Sequence, residues 1–111
     1  MKIEISESKL DQAESNKVKA LENRKANVLI IDDEPGNLIS LQHLLSPHYH
    51  VFACEDPREA LGVFGDEHID IVLSDQRMPE MLGTELLEQL KIRNDDNIRI
   101  IVTGYTDARD L

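Results

Sequence analysis

Three aspartates and a threonine are the residues of this sequence best suited to do chemistry. Asp32 and Asp33 close the apolar run Val28–Ile31 in "NVLIIDDEPGN", and Asp75 follows Ile69–Leu73 in "IDIVLSDQRMPEMLG". A third run, Ile98–Val102 in "IRIIVTGYTD", ends in Thr103. Carboxylates brought together repel one another unless a cation neutralises them. Magnesium, a hard ion that keeps several of its waters, suits a site of two or three carboxylates. Such a cluster beside a hydroxyl is equipment for phosphoryl transfer, in which the metal offsets phosphoryl charge and a carboxylate can act as nucleophile. No Ser/His triad pairing, P-loop or Cys/His zinc spacing competes with it. His48 and His50 in "HYH" read first as polar residues in a turn entering the second strand, with a chelating pair as the lesser alternative.

The elements that must bring these residues together are legible as an alternation of short apolar runs and amphipathic segments. Strand Val28–Ile31 leads to "EPGNLISLQHLLSP", where Leu38, Leu41, Leu44 and Leu45 line one helical face and Pro47 ends it. Strand Tyr49–Cys54 leads to a helix with Asp56 as N-cap, Pro57 at its first position, and Ala60, Leu61 and Phe64 inward. Strand Ile69–Leu73 leads to "TELLEQLKIR", with Leu86, Leu87 and Leu90 inward, and strand Ile98–Val102 follows. Strands alternating with helices through short loops imply right-handed βαβ units and a parallel sheet covered on both faces. Ligands of such sheets bind outside the carboxyl ends of the strands, near the switch in strand order. Buried strands therefore end in carboxylates because the strand ends are the site.

The bulk properties narrow the function further. A chain of 111 residues builds one compact domain, and it contains neither an apolar run long enough to span a bilayer nor a signal-peptide pattern, so a cytoplasmic protein is expected. The net charge of −10 is concentrated after residue 26, where six Lys/Arg face seventeen Asp/Glu. That body repels nucleic acid and anionic lipid. Cys54 is the sole cysteine and reads as a small hydrophobe on a strand. Residues 1–26 mix both charge signs, and Leu10, Ala13, Val18 and Leu21 fall on one helical face, which predicts a helical arm from about Ser8 to Lys25; a solvated leader is the alternative.

The acidic pair in "LIIDDEP", the aspartate of "IVLSDQRMPEMLG" and the threonine of "IIVTGYTD" resemble the receiver domain of bacterial two-component response regulators over residues 27–111. The resemblance implies a flavodoxin-like, doubly wound α/β fold. It makes Asp75 the phosphoacceptor for a histidine kinase or phosphotransfer protein. Mg²⁺ would be held by Asp33, Asp75 and the backbone carbonyl of Arg77, with Asp32 acting through water. Thr103 would be the switch hydroxyl, and Pro79 and Gly83 would shape the loop after the acceptor. No substrate turnover is implied, and the output lies outside these residues. The resemblance also implies a fifth strand ending in a lysine and a last helix, and neither is found in the sequence, whose last lysine is Lys91. The expectation is a truncated receiver of four βα segments.

Two other readings compete. A phosphatase of the haloacid dehalogenase type also uses a strand-end aspartate with a second acid two residues on, as Asp32 and Glu34 stand here, but Gly36 replaces its usual Thr or Val and Arg77 stands where an acid would follow Asp75. A receiver-like fold kept for protein contacts, with the acidic cluster inert, is the other. Met78 and Met81 read as packing residues, and Tyr105 as a switch neighbour or a rim residue. Finally, Ile98–Val102 as an edge strand would expose Ile100 or Ile101, and with the stripe of the arm this predicts self-association.

Overall fold

The computed structural model describes Asn16 and residues 24–102; apart from Asn16, Arg24 and Lys25, the predicted N-terminal arm lies outside the described residues, as do Thr103 and Tyr105. Four strands, β1 (Asn27–Ile31), β2 (His50–Cys54), β3 (Ile71–Ser74) and β4 (Ile98–Ile101), pair in parallel in the order β2-β1-β3-β4. Three helices connect them: α1 (Pro35–Leu45), α2 (Pro57–Asp66) and α3 (Gly83–Arg93). This is the doubly wound arrangement expected from the alternation. The chain steps outward from β1 to β2, then returns past β1 to build β3 and β4, so the strand order switches between β1 and β3. No described helix is long and apolar enough to cross a membrane.

β1 is apolar on both faces because it is covered on both. Leu29 and Ile31 join Cys54, Val72, Phe64, Leu86 and Leu90 under α2 and α3, while Val28 and Ile30 pack with Leu38 under α1. Helix α2 begins as expected: the Asp56 carboxylate accepts a hydrogen bond from the Arg58 N–H, and Pro57 occupies the first turn, where no intrahelical donor is needed. Helix α3 places Lys91 and Arg93 in its last turn, against the negative end of its dipole.

Three expectations need correction. Leu44 is 69% exposed; Leu38, Leu41 and Leu45 form the stripe facing the sheet, and Leu44 falls about a hundred degrees behind Leu45 on the helix, with no described element to cover it. The second strand starts at His50 rather than Tyr49, and the third at Ile71 rather than Ile69, although Ile69 is buried in the core below the strand. His48 and His50 are both exposed at the entry to β2 and belong to no cluster of three or more metal ligands among the described residues.

Coverage of the sheet is uneven at β4. Its register places Ile98 beside Ile71 and Ile100 beside Leu73, on the α1 side, where Ile98 is 60% and Ile100 43% exposed. Among the described residues β4 is an edge strand with an apolar, open face.

Candidate functional site

The ladder of β1 and β3 runs in register from Val28↔Ile71 to Ile31↔Ser74, so the next residue on each strand, Asp32 and Asp75, emerges at the switch point side by side. Main-chain hydrogen bonds extend one step beyond the strands. The Asp32 N–H donates to the Cys54 carbonyl at 3.2 Å, the Asp75 N–H to Ile31 at 2.9 Å, and the Val102 N–H to Ser74 at 2.9 Å. Thr103, next after Val102, lies outside the described residues.

Asp32, Asp33 and Asp75 each offer a carboxylate oxygen within 4.8 Å of the others. Their fastening differs. Asp32 is only 7% exposed, and both its oxygens accept hydrogen bonds, Oδ1 from the Glu34 N–H at 2.9 Å and Oδ2 from Asn37 Nδ2 at 3.1 Å. Asp33 and Asp75 are half-buried. Burial, and next the charge of Asp32, push the Asp75 carboxyl above the usual aspartate range; Asp33 adds to this, while the backbone N–H groups of Gln76 and Arg77 pull the other way. Three oxygen donors crowded at this spacing fit a small hard divalent cation, whose charge would offset their mutual repulsion. The donor set is therefore right for Mg²⁺.

The loop after Asp75 is closed tightly. Arg77 bridges Leu82 in antiparallel fashion, and the Gly83 N–H donates to the Gln76 carbonyl at 2.9 Å. Gly83 is buried against the backbone of Asp75: a Cβ there would fall onto the Asp75 carbonyl and crowd Ile101 Cδ1 at 3.0 Å. Pro79 sits exposed in the outer bend. Met78 is buried in the core under α2 and α3, with Met81 packed beside it, which gives both methionines a packing role. Glu34, the second acid of the phosphatase reading, stands exposed at the N-cap of α1 and is not among the three clustered carboxylates. Cys54 is buried, and its thiol is pushed up to about 11, first by burial and then by Glu59 and Asp56.

Sequence reasoning missed Asn37, Gln76 and Thr84. Asn37 was readable only as a helix-surface residue. For Gln76 a signal existed: Leu82, the residue before α3, has no side-chain acceptor, so the helix needs one from elsewhere.

The family described as the response regulator receiver domain matches residues 28–111. With the β2-β1-β3-β4 sheet and the strand-end carboxylates already in place, the chain belongs to that family. It is 31% identical over 91 residues to the hydrogenase transcriptional regulatory protein HoxA of Cupriavidus necator, an alignment covering 82% of this chain and 19% of that protein. It is 36% identical over 80 residues to sporulation initiation phosphotransferase F of Bacillus subtilis, covering 70% of this chain and 64% of that one. Among solved structures, a CheY-like response regulator receiver domain protein from Methanospirillum hungatei superposes with a TM-score of 0.71 at 31% identity, over 78% of this chain and 70% of that one. The chain spans about a fifth of the length of the first curated relatives it matches.

Proposed function

We propose that this chain is the phosphoacceptor of a two-component relay. A carboxylate oxygen of Asp75 bonds to phosphorus as the phosphorus–nitrogen bond of a phosphohistidine breaks, with the electron pair, and then a proton, going to the departing imidazole. Asp33, Asp75 and the Arg77 backbone carbonyl hold Mg²⁺, which when bound offsets the charge of the phosphoryl oxygens. Asp32, with both oxygens already engaged by Glu34 and Asn37, is suited to act on the metal through water. Thr103 is the switch hydroxyl that meets the phosphoryl group, and Pro79 and Gly83 fix the loop. Turnover of phosphate esters is not expected.

The observation that carries this reading is the convergence of three carboxylates within 4.8 Å at the β1/β3 switch. Labelling from a phosphohistidine donor tests it. The parent chain takes up phosphoryl groups with Mg²⁺ present, and Asp75→Asn takes up none. Labelling that survives in Asp75→Asn and disappears in Asp32→Asn would reassign the acceptor.

The partner that fits is a histidine kinase or phosphotransfer protein in the cytoplasm. The net charge of −10 argues against direct contact with nucleic acid or anionic membranes. The open apolar side of β4, Ile98 and Ile100, supports self-association through that edge. Light scattering should report a species larger than one chain that Ile98→Lys with Ile100→Lys returns to monomer; a parent chain already monomeric at high concentration excludes it.

A further inference from the structure

Helix α3 starts without a cap of its own. Leu82 precedes it with no acceptor in its side chain; its N–H donates to Glu85 Oε1 at 3.4 Å, and its carbonyl accepts from the Glu85 and Leu86 N–H groups at 3.1 Å, which leaves the Thr84 N–H to be met from elsewhere. The missing acceptor comes from eight residues upstream. Gln76 Oε1 accepts from the Thr84 N–H at 3.0 Å, Gln76 Nε2 donates to Thr84 Oγ1 at 3.2 Å, and the Gln76 carbonyl accepts from the Gly83 N–H at 2.9 Å. Three hydrogen bonds from one residue thus pin both ends of the loop 77–82.

That same residue is bonded directly to the acceptor. Its own N–H and that of Arg77 are turned toward the Asp75 carboxylate. The Asp75 carbonyl accepts from Ser74 Oγ at 2.9 Å and lies against Gly83, with no room for a Cβ between them. The start of α3 therefore cannot shift without moving the Asp75 backbone, and the side chain that holds the start of α3 is Gln76.

We propose that Gln76 is a positioning residue of the site: by clamping Thr84 it holds the Asp75 carboxylate and the Arg77 main chain at the spacing that a divalent cation and a phosphoryl group require. The proposal deepens the phosphoacceptor reading and rests on it. A residue that merely capped a helix would affect α3 alone. A positioning residue also changes what Asp33 and Asp75 can bind.

The test compares the parent with Gln76→Met, which keeps length and removes both side-chain bonds, and Gln76→Glu, which keeps an acceptor for the Thr84 N–H. Mg²⁺ alone is titrated while the amide resonances of Asp33 and Arg77 are followed, and hydrogen exchange is read at Gly83 and Thr84. Gln76→Met should bind Mg²⁺ at least threefold more weakly and exchange those two amides at least tenfold faster, with far-UV circular dichroism unchanged. Gln76→Glu should restore the protection. If Gln76→Met does not fold, Thr84→Val removes one of the two side-chain bonds and should give the same signature at reduced size. Mg²⁺ affinity within twofold of the parent in Gln76→Met overturns the proposal, as does a folded Thr84→Val standing in for it whose Mg²⁺ affinity equals the parent's. A parent chain that binds no Mg²⁺ while the exchange difference persists would count instead against the phosphoacceptor reading and leave the clamp standing.

Discussion

Asp70 and Asp75 stand five residues apart at the two ends of β3, and the molecule treats them oppositely. At the amino end, Asp70 accepts from the Asn27 N–H at 2.7 Å, from Arg24 at 3.2 Å, and pairs with His68 Nε2 at 3.1 Å. Its backbone also ties β1 to β4, donating to the Asn27 carbonyl and accepting from the Ile98 N–H. At the carboxyl end, Asp75 faces Asp32 and Asp33. One carboxylate is matched by donors and serves as a joint. The other is set against its own kind, a repulsion that a bound divalent cation would offset.

The strongest way to break the comparison is at Gly83. Gly83→Ala drives a methyl group into the Asp75 carbonyl, and a cost of about 2–3 kcal/mol is expected in urea denaturation, with the Mg²⁺ response lost alongside. A stability change under about 0.5 kcal/mol would mean that the close approach is not a constraint.

Next in size is the joint. Asp70→Ala leaves the half-buried Asn27 N–H without its acceptor and should cost about 1–2 kcal/mol, insensitive to Mg²⁺. Its effect on phosphoryl uptake at saturating donor should be small.

Asp75→Asn should do the reverse of Asp70→Ala. The folded chain holds the Asp75 carboxyl above its ordinary range, so folding favours the protonated form. The associated cost is absent below the ordinary aspartate range, grows as pH rises through the raised value, and is complete above it. In EDTA at pH 7, Asp75→Asn should therefore gain up to about 1 kcal/mol, and the gain should vanish in acid. Thermal melts at pH 7 and pH 3.5 check it; an unchanged difference between the two pH values would remove the burial and crowding of the charged carboxylate as the cause.

The smallest effect lies at the rim. The Cys54 thiol, at about 11, reports burial and then the charges of Glu59 and Asp56, so roughly one thiol in a thousand is ionised at pH 8 and alkylation of the folded chain should be slow. Rapid modification without unfolding would show β2 to be open.

Most of the fold was legible because β1 and β3 follow unbroken β-branched and aliphatic runs and the helices carry apolar stripes between them. Asp32, Asp33 and Asp75 stood out because nothing about a buried strand explains a terminal carboxylate. Their convergence followed once the strand order was known, and the register of β1 with β3 brings them together. What stayed hidden was lateral. Asn37 reaching Asp32 and Gln76 reaching Thr84 depend on how a helix start or a loop end is oriented, which no periodicity encodes. Leu44 failed for a related reason: a helical stripe gives a direction but not the width of what will cover it.

The one-step extension of the ladder past the strand ends has a consequence for how freely this site can be rewritten. Asp32 and Asp75 each hang from the neighbouring strand by a main-chain N–H, a bond indifferent to the side chain carried there. Placement and chemistry are thus written in separate parts of the chain. A lineage, or an engineer, can exchange the carboxylates for amides, other acids or hydroxyls and keep the platform, so a domain that has lost its reactivity can persist as a contact surface with its shape unchanged.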